Sequence, residues 1–151
     1  FILVPHEINK QKISKLRESI SQTSTLYSEF SKKNNNSNVL IIDNVGILAR
    51  LYKYADMAYI GGGMGTSGLH NTLEAAAFGI PIIIGKNYSK FSEAKKMISL
   101  GGMFSVKNNQ EFKDYVDNLT ENKLAADKIG LINSSFILEN KGATKKIMNY
   151  L

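Results

Sequence analysis

Short apolar runs alternate along the chain with longer stretches of helical spacing. Phe1-Ile2-Leu3-Val4 reads as a buried strand ending at Pro5. Between Asn9 and Ile20 the apolar residues Ile13, Leu16 and Ile20 fall on one face, which predicts a helix. Ser24–Phe30 reads as a second strand, and the asparagine-rich stretch Lys32–Asn38 as a surface loop. Val39–Ile42 is the next strand, followed by a helix over Gly46–Tyr54. Met57–Ile60 is a strand that runs into three glycines, and Leu69–Phe78 reads as a helix closed by Gly79. Pro81 opens the strand Ile82–Ile84, and Phe91–Leu100 is an amphipathic helix stopped by Gly101-Gly102. Met103–Val106 is the last strand. Residues 109–151 read as wholly helical, with breaks near Gly130 and Gly142. Strands apolar on both faces and separated by helices imply a parallel sheet covered on both sides. This is an α/β, doubly wound architecture with a helical C-terminal segment.

Ligands of such folds bind beyond the carboxyl ends of the strands. That rule directs attention to Pro5-His6, to Asp43–Ile47, to Gly61–Asn71 and to Gly85–Tyr88. Within Gly61–Gly68, five of eight residues are glycine. So many glycines are entropically costly, and they allow backbone to approach a ligand closely. The segment feeds the expected helix, whose first amides lack internal partners and, with the helix dipole, suit a phosphate. A turn without a ligand is the alternative. The spacing matches neither G-x-x-x-x-G-K-[ST] nor G-x-G-x-x-G, so it supports neither a P-loop nor a dinucleotide site.

Asn71 and Glu74 are three apart and share a helical face. Glu74 is placed to accept hydrogen bonds from the two hydroxyls of a ribose, or else is an ordinary surface glutamate. His70 either turns toward a phosphate or caps the helix. Ala75-Ala76-Ala77 reads as close helix–sheet packing. Lys86 and Lys90 are solvated lysines or partners of an anionic substrate, and Tyr88 and Phe91 are core or ligand wall. The pairs Lys95-Lys96 and Lys145-Lys146 are surface charge or contacts to an anionic membrane.

Composition narrows the field. With 151 residues, 43% hydrophobic and 21% charged, the chain has the size of one domain and is too apolar to be disordered. Its apolar runs are far short of the roughly 20 residues that cross a bilayer. It has no cysteine and only two histidines, which leaves no thiolate chemistry and little scope for a metal centre. The formal charge of +6 divides evenly between the first 60 residues and the rest, so no basic patch points to nucleic acid. Because it opens on Phe1 within a strand, the sequence reads as a domain of a longer protein.

Gly61–Gly85 followed by Asn87-Tyr88-Ser89-Lys90-Phe91-Ser92-Glu93-Ala94 closely resembles the Kdo transferases of Gram-negative bacteria, family 30 of the glycosyltransferases. These enzymes transfer 3-deoxy-D-manno-octulosonic acid (Kdo) in lipopolysaccharide synthesis. The likeness begins at Val4-Pro5-His6-Glu7, continues through Asp43–Leu48 and Tyr54-Ala55-Asp56, and is densest from Gly61 to Phe104. It implies a GT-B fold of two Rossmann-like halves, of which residues 1–151 form the single C-terminal, nucleotide-sugar-binding domain. The resemblance implies a CMP site. Pro5 and His6 match the contact to the donor nucleotide, where many members carry Arg in place of His6. Val45, Gly46 and Ile47 match the turn against the cytosine. Gly63 belongs to the glycine turn, and Asn71, Thr72, Leu73 and Glu74 match the segment meeting phosphate and ribose. Leu69 stands where Gly is commoner.

The same resemblance implies transfer of Kdo from CMP-Kdo to a lipid A precursor, lipid IVA, with inversion and without a metal or other cofactor. It places the general base and the main acceptor site in an N-terminal half, so no catalytic residue is expected in this chain. It implies work at the cytoplasmic face of the inner membrane, with attachment through that other half. A UDP-sugar transferase or epimerase of the same fold, or a non-catalytic nucleotide-binding module, are the competing readings.

Overall fold

The computed structural model of the chain describes residues 1–30, 36–142 and 147–148. The chain divides into two compact units, Phe1–Arg50 and Leu51–Leu151.

The first unit is a three-stranded parallel sheet of β1 (Ile2–Leu3), β2 (Ser24–Leu26) and β3 (Val39–Ile41), with β3 in the middle. Helix α1 (Lys10–Ser19) carries the chain from β1 to β2. It starts where the Asn9 side chain accepts the Gln11 N–H at 2.9 Å, which satisfies one of the amides a helix start leaves open. Its apolar face packs Ile13, Leu16 and Ile20 against Val39, Ile41, Leu3 and Leu26. The strand expected over Ser24–Phe30 ends at Leu26, and Tyr27–Glu29 is a 3-10 turn. The reason is Asp43: its carboxylate accepts both the Ser28 N–H, at 3.0 Å, and the Ser28 hydroxyl. These bonds hold the Asp43 pKa below its ordinary value. Most of the loop expected over Lys32–Asn38 lies outside the described residues.

The helix expected over Gly46–Tyr54 is only α2 (Leu48–Leu51), followed by a 3-10 turn over Tyr52–Tyr54. Gly46 has a φ of +85°, outside the helical region, so no helix begins there.

In the second unit β4 (Ala58–Ile60), β5 (Ile82–Gly85) and β6 (Met103–Val106) form a parallel sheet with β5 central. Crossovers run through α3 (Leu73–Ala77) and α4 (Ser92–Leu100). Both faces of β5 are covered. Ile82 and Ile84 point into a core with Ala75, Ala76, Ala94, Met97 and Met103. Ile83 points the other way, against Val106, Leu119 and Ala126. This explains the unbroken Ile-Ile-Ile run.

Two long helices complete the unit, α5 (Asn109–Glu121) and α6 (Lys123–Asn140). The chain breaks between them at Asn122, whose side chain accepts the Ala125 N–H at 3.0 Å. The break expected near Gly130 is absent: α6 runs through it. Gly130 is instead where α6 meets the turn after α3, since a Cβ there would lie 2.0 Å from the Gly79 carbonyl oxygen. One turn on, the fully buried Asn133 amide donates to the carbonyls of Ile80, at 2.8 Å, and Gly102, at 2.7 Å. The end expected near Gly142 holds, with α6 stopping at Asn140. Residues 143–146 and 149–151, including Lys145-Lys146, lie outside the described residues. Among the described residues no helix is long and apolar enough to cross a membrane.

Candidate functional site

β4 ends at Ile60, and the glycine turn follows as a bonded structure. The Gly61 carbonyl accepts the His70 N–H at 3.1 Å, closing the turn at its base. Gly62 has a φ of +87°, and a Cβ on it would sit 1.9 Å from the Gly68 carbonyl oxygen. Gly63 lies against Gly85 at the end of β5, where a Cβ on Gly85 would come 2.3 Å from the Gly63 carbonyl carbon. Asn87 ties the turn from outside: its N–H donates to the Gly63 carbonyl at 2.8 Å and its amide to the Gly65 carbonyl at 2.9 Å. Gly62 in the turn and Gly85 at the end of β5 are thus required by backbone meeting backbone. Gly65 differs, because a Cβ there would meet nothing within 4 Å.

The helix after the turn starts later than its pattern suggested, at Leu73 rather than Leu69. Leu69 is buried in the core. Asn71 starts the helix: its side-chain oxygen accepts the Leu73 N–H at 3.0 Å, and its amide donates to Glu74 Oε1 at 3.0 Å. The Asn71–Glu74 pair therefore closes the helix entry as an Asx-turn one residue ahead of the Thr72 N-cap, with the acid bonded to the Asn71 side chain. This corrects the expected amide cradle. The His70 and Leu73 N–H groups are engaged within the chain, and a five-residue helix has a smaller dipole than the ten-residue helix expected. Glu74 remains exposed, and the Asn71 bond uses one of the roughly four acceptor sites of a carboxylate. Thr72 is 2% exposed, and its hydroxyl has no hydrogen-bond partner among the described residues.

Sequence reasoning missed Tyr52. It is buried, its ring centroid lies 5.8 Å from that of Phe78, and Phe78 is four residues beyond Glu74. Burial raises its hydroxyl pKa, and the Glu74 carboxylate raises it further. No sequence pattern marks this pairing, because Tyr52 reads as an ordinary aromatic residue at a helix end. The sequence also did not reveal an open groove of about 720 Å³. It brings Asn71, Leu73 and Glu74 at the start of α3 together with Lys96 of α4 and Phe136 of α6. Tyr88 and Phe91 resolve as core, packing on the Ile82–Ile84 cluster, while Lys86 and Lys90 are exposed.

The remaining candidates lie on the first unit. Pro5 and His6 follow β1, and Val45, Gly46 and Ile47 follow β3. These two strands are parallel neighbours, with Leu3 opposite Ile41, so both loops leave the same edge of one sheet. Pro5 and Ile47 are half-buried, His6 and Gly46 are exposed, and Val45 is 87% exposed. An apolar side chain so bare beside the carboxyl edge is a natural wall for a flat ring. Glu7 is paired with Lys12, which holds its carboxyl below the ordinary value. Among the described residues no cluster of three His, Asp or Glu side chains is arranged to hold a metal ion.

The chain is 36% identical to the 3-deoxy-D-manno-octulosonic acid transferase of Aquifex aeolicus over 123 residues, covering 80% of the chain and 32% of that protein. It is 28% identical to the Haemophilus influenzae protein of the same name, over 100% of the chain and 34% of the relative. The chain is a homologue of the Kdo transferases. It spans about a third of the length of these Kdo transferases. A bifunctional glycosyltransferase/methyltransferase of Fusobacterium nucleatum is 27% identical over 93% of the chain and 22% of its own length. Among solved structures, the C-terminal CMP-Kdo binding domain of WaaA from Acinetobacter baumannii superposes with a TM-score of 0.80. That match covers 90% of the chain and 72% of the other at 17% identity, and it establishes the α/β Rossmann-like fold. No family model matches the chain.

Proposed function

We propose that this chain is the donor-binding part of a glycosyltransferase that moves Kdo from CMP-Kdo to a lipid A precursor, lipid IVA. The observation that carries the reading is the similarity to Kdo transferases, which extends over the whole chain in one relative and 80% of it in another. Glu74 accepts the ribose hydroxyls and is held in orientation by Asn71. With the His70 and Leu73 amides already engaged and Thr72 buried, the phosphate contact falls to the exposed Asn71 side chain. On the first unit, Val45, Gly46 and Ile47 share one sheet edge with Pro5 and His6, an edge that suits a flat nucleotide base.

In the reaction an acceptor hydroxyl oxygen attacks the anomeric carbon of Kdo from the face opposite the phosphate. The bond from that carbon to the phosphate oxygen breaks, CMP leaves with the electron pair, and configuration inverts. Negative charge grows on the departing phosphate, and polar groups fixed in advance around it lower the barrier without a metal ion. The proton of the acceptor hydroxyl goes to a base outside this chain, in the half that also holds the acceptor. The protein works at the cytoplasmic face of the inner membrane, attached through that half.

Titration calorimetry tests the reading. CMP is expected to bind in preference to UMP, and Glu74→Ala to weaken CMP by roughly tenfold, the loss of about one charge-assisted hydrogen bond. A preference for UMP would reject the Kdo donor and favour a UDP-sugar enzyme. An unchanged CMP affinity in the variant would remove Glu74 from the ribose.

A further inference from the structure

Helix α6 is apolar on two opposite sides. One side carries Ala126, Ile129, Asn133, Phe136 and Ile137 into the core. The opposite side carries Leu124, Leu131 and Leu138 at intervals of seven, and these are 76%, 65% and 58% exposed. Seven residues are nearly two helical turns, so the three leucines form one stripe of the kind that seats a second helix. Isolated exposed leucines need no explanation, but a straight row of them does.

The residues beside the stripe indicate the partner. At about 100° per residue, Lys128 and Glu139 lie on one flank and Asp127 on the other. Lys141 follows at the helix end. If a second copy of α6 is laid antiparallel with the twofold axis between residues 133 and 134, Lys128 comes opposite the partner's Glu139. Asp127 comes opposite the partner's Asn140, one residue short of the partner's Lys141, and Leu131 falls between the partner's Ser135 and the partner's Leu138. The small residues Ser134 and Ser135 then lie at the crossing point. The Lys128–Glu139 pairing occurs twice, and Leu124 lies beyond the seam.

We propose that α6 is a homodimer interface, in which two copies pack antiparallel along the Leu131–Leu138 stripe. The intramolecular Lys123–Asp127 pair, 3.3 Å apart on the surface, is weak and gives way to the new arrangement. The seam from residue 127 to 141 is about 21 Å long. A single helix pair of that length covers less than the roughly 800 Å² per partner of a standard interface, so the dimer is reversible and forms at high protein concentration. This inference does not depend on the nucleotide chosen by the site.

Sedimentation velocity on the full-length protein, over about 5 to 500 μM, tests it. A concentration-dependent dimer is expected. Leu131→Lys sets two like charges close to the axis, and is expected to weaken association at least tenfold. Lys128→Glu alone is expected to weaken it, and Lys128→Glu with Glu139→Lys to restore it to within about threefold, because the swap rebuilds the pairs. These positions are exposed, so an unchanged circular dichroism spectrum confirms that the variants fold. A protein monomeric at every concentration, or a dimer indifferent to all three substitutions, overturns the proposal.

Discussion

Asn133 shows how one side chain holds separate parts of the second unit together. Its amide closes on the carbonyls of Ile80 and Gly102, which lie just ahead of β5 and β6. Asn133→Ala would leave both carbonyls buried without a donor and open a cavity. The expected cost is about 3 kcal/mol, read as a lower urea midpoint. Asp43 acts more locally, and its contribution depends on pH. Its folded pKa is depressed by Ser28, so the stabilisation is complete above the ordinary carboxylate value near 4 and fades as pH falls through the lower folded value. Ser28→Ala should therefore lose stability at pH 7, while the gap to the parent closes at a pH acidic enough to protonate Asp43 in the folded state. Equal gaps at both pH values would show that Asp43 is not involved. The same scale explains what the sequence concealed at the site. Asn71 and Glu74 were legible as a pair on one face. That the pair closes the helix entry, and that Tyr52 lies near the acid, depends on where α3 begins and on packing from a distant turn.

Elements were easiest to read where burial on both faces enforced them. The Ile82–Ile84 run read as a strand, which the sheet holds at its centre, and Gly101-Gly102 ended α4 as expected. Elements failed where a side chain or a close approach outweighed propensity. Ser28 and Asp43 cut β2 short, Asn71 delayed α3, and Gly130 marked a contact instead of a break. Gly130→Ala separates these two roles by sign. Helix propensity alone predicts a gain of up to about 1 kcal/mol. The 2.0 Å approach to Gly79 predicts a loss instead, because both neighbours are backbone and cannot turn aside. Thermal unfolding decides: a raised midpoint would mean that α6 and the Gly79 turn are not in contact.

For the whole molecule, the likeness to known Kdo transferases covers about a third of their length. Donor recognition and catalysis are thus expected to separate. On the proposed function, which assigns the base and most of the acceptor site to another half, the 151-residue chain should bind CMP and transfer no Kdo. Any Kdo transferred by this chain alone, followed with labelled CMP-Kdo, would show that it carries a base of its own. The fold class was legible from the alternation of strands and helices. The cytidine and the Kdo were legible only through resemblance, because a glycine turn and a ribose-binding acid serve many nucleotide sugars equally well.

The Asn133 clamp also bears on how the protein is made. β4, β5 and β6 all emerge from the ribosome before residue 133, yet the carbonyls ahead of the last two strands have to wait for an amide near the end of the chain. A nascent chain stalled short of α6 therefore holds an unfinished sheet, with hydrophobic surface uncovered and two acceptors seeking donors. Chaperone engagement should be strongest in that interval, and a premature stop codon just before position 133 should be far more damaging than one a few residues after Asn140.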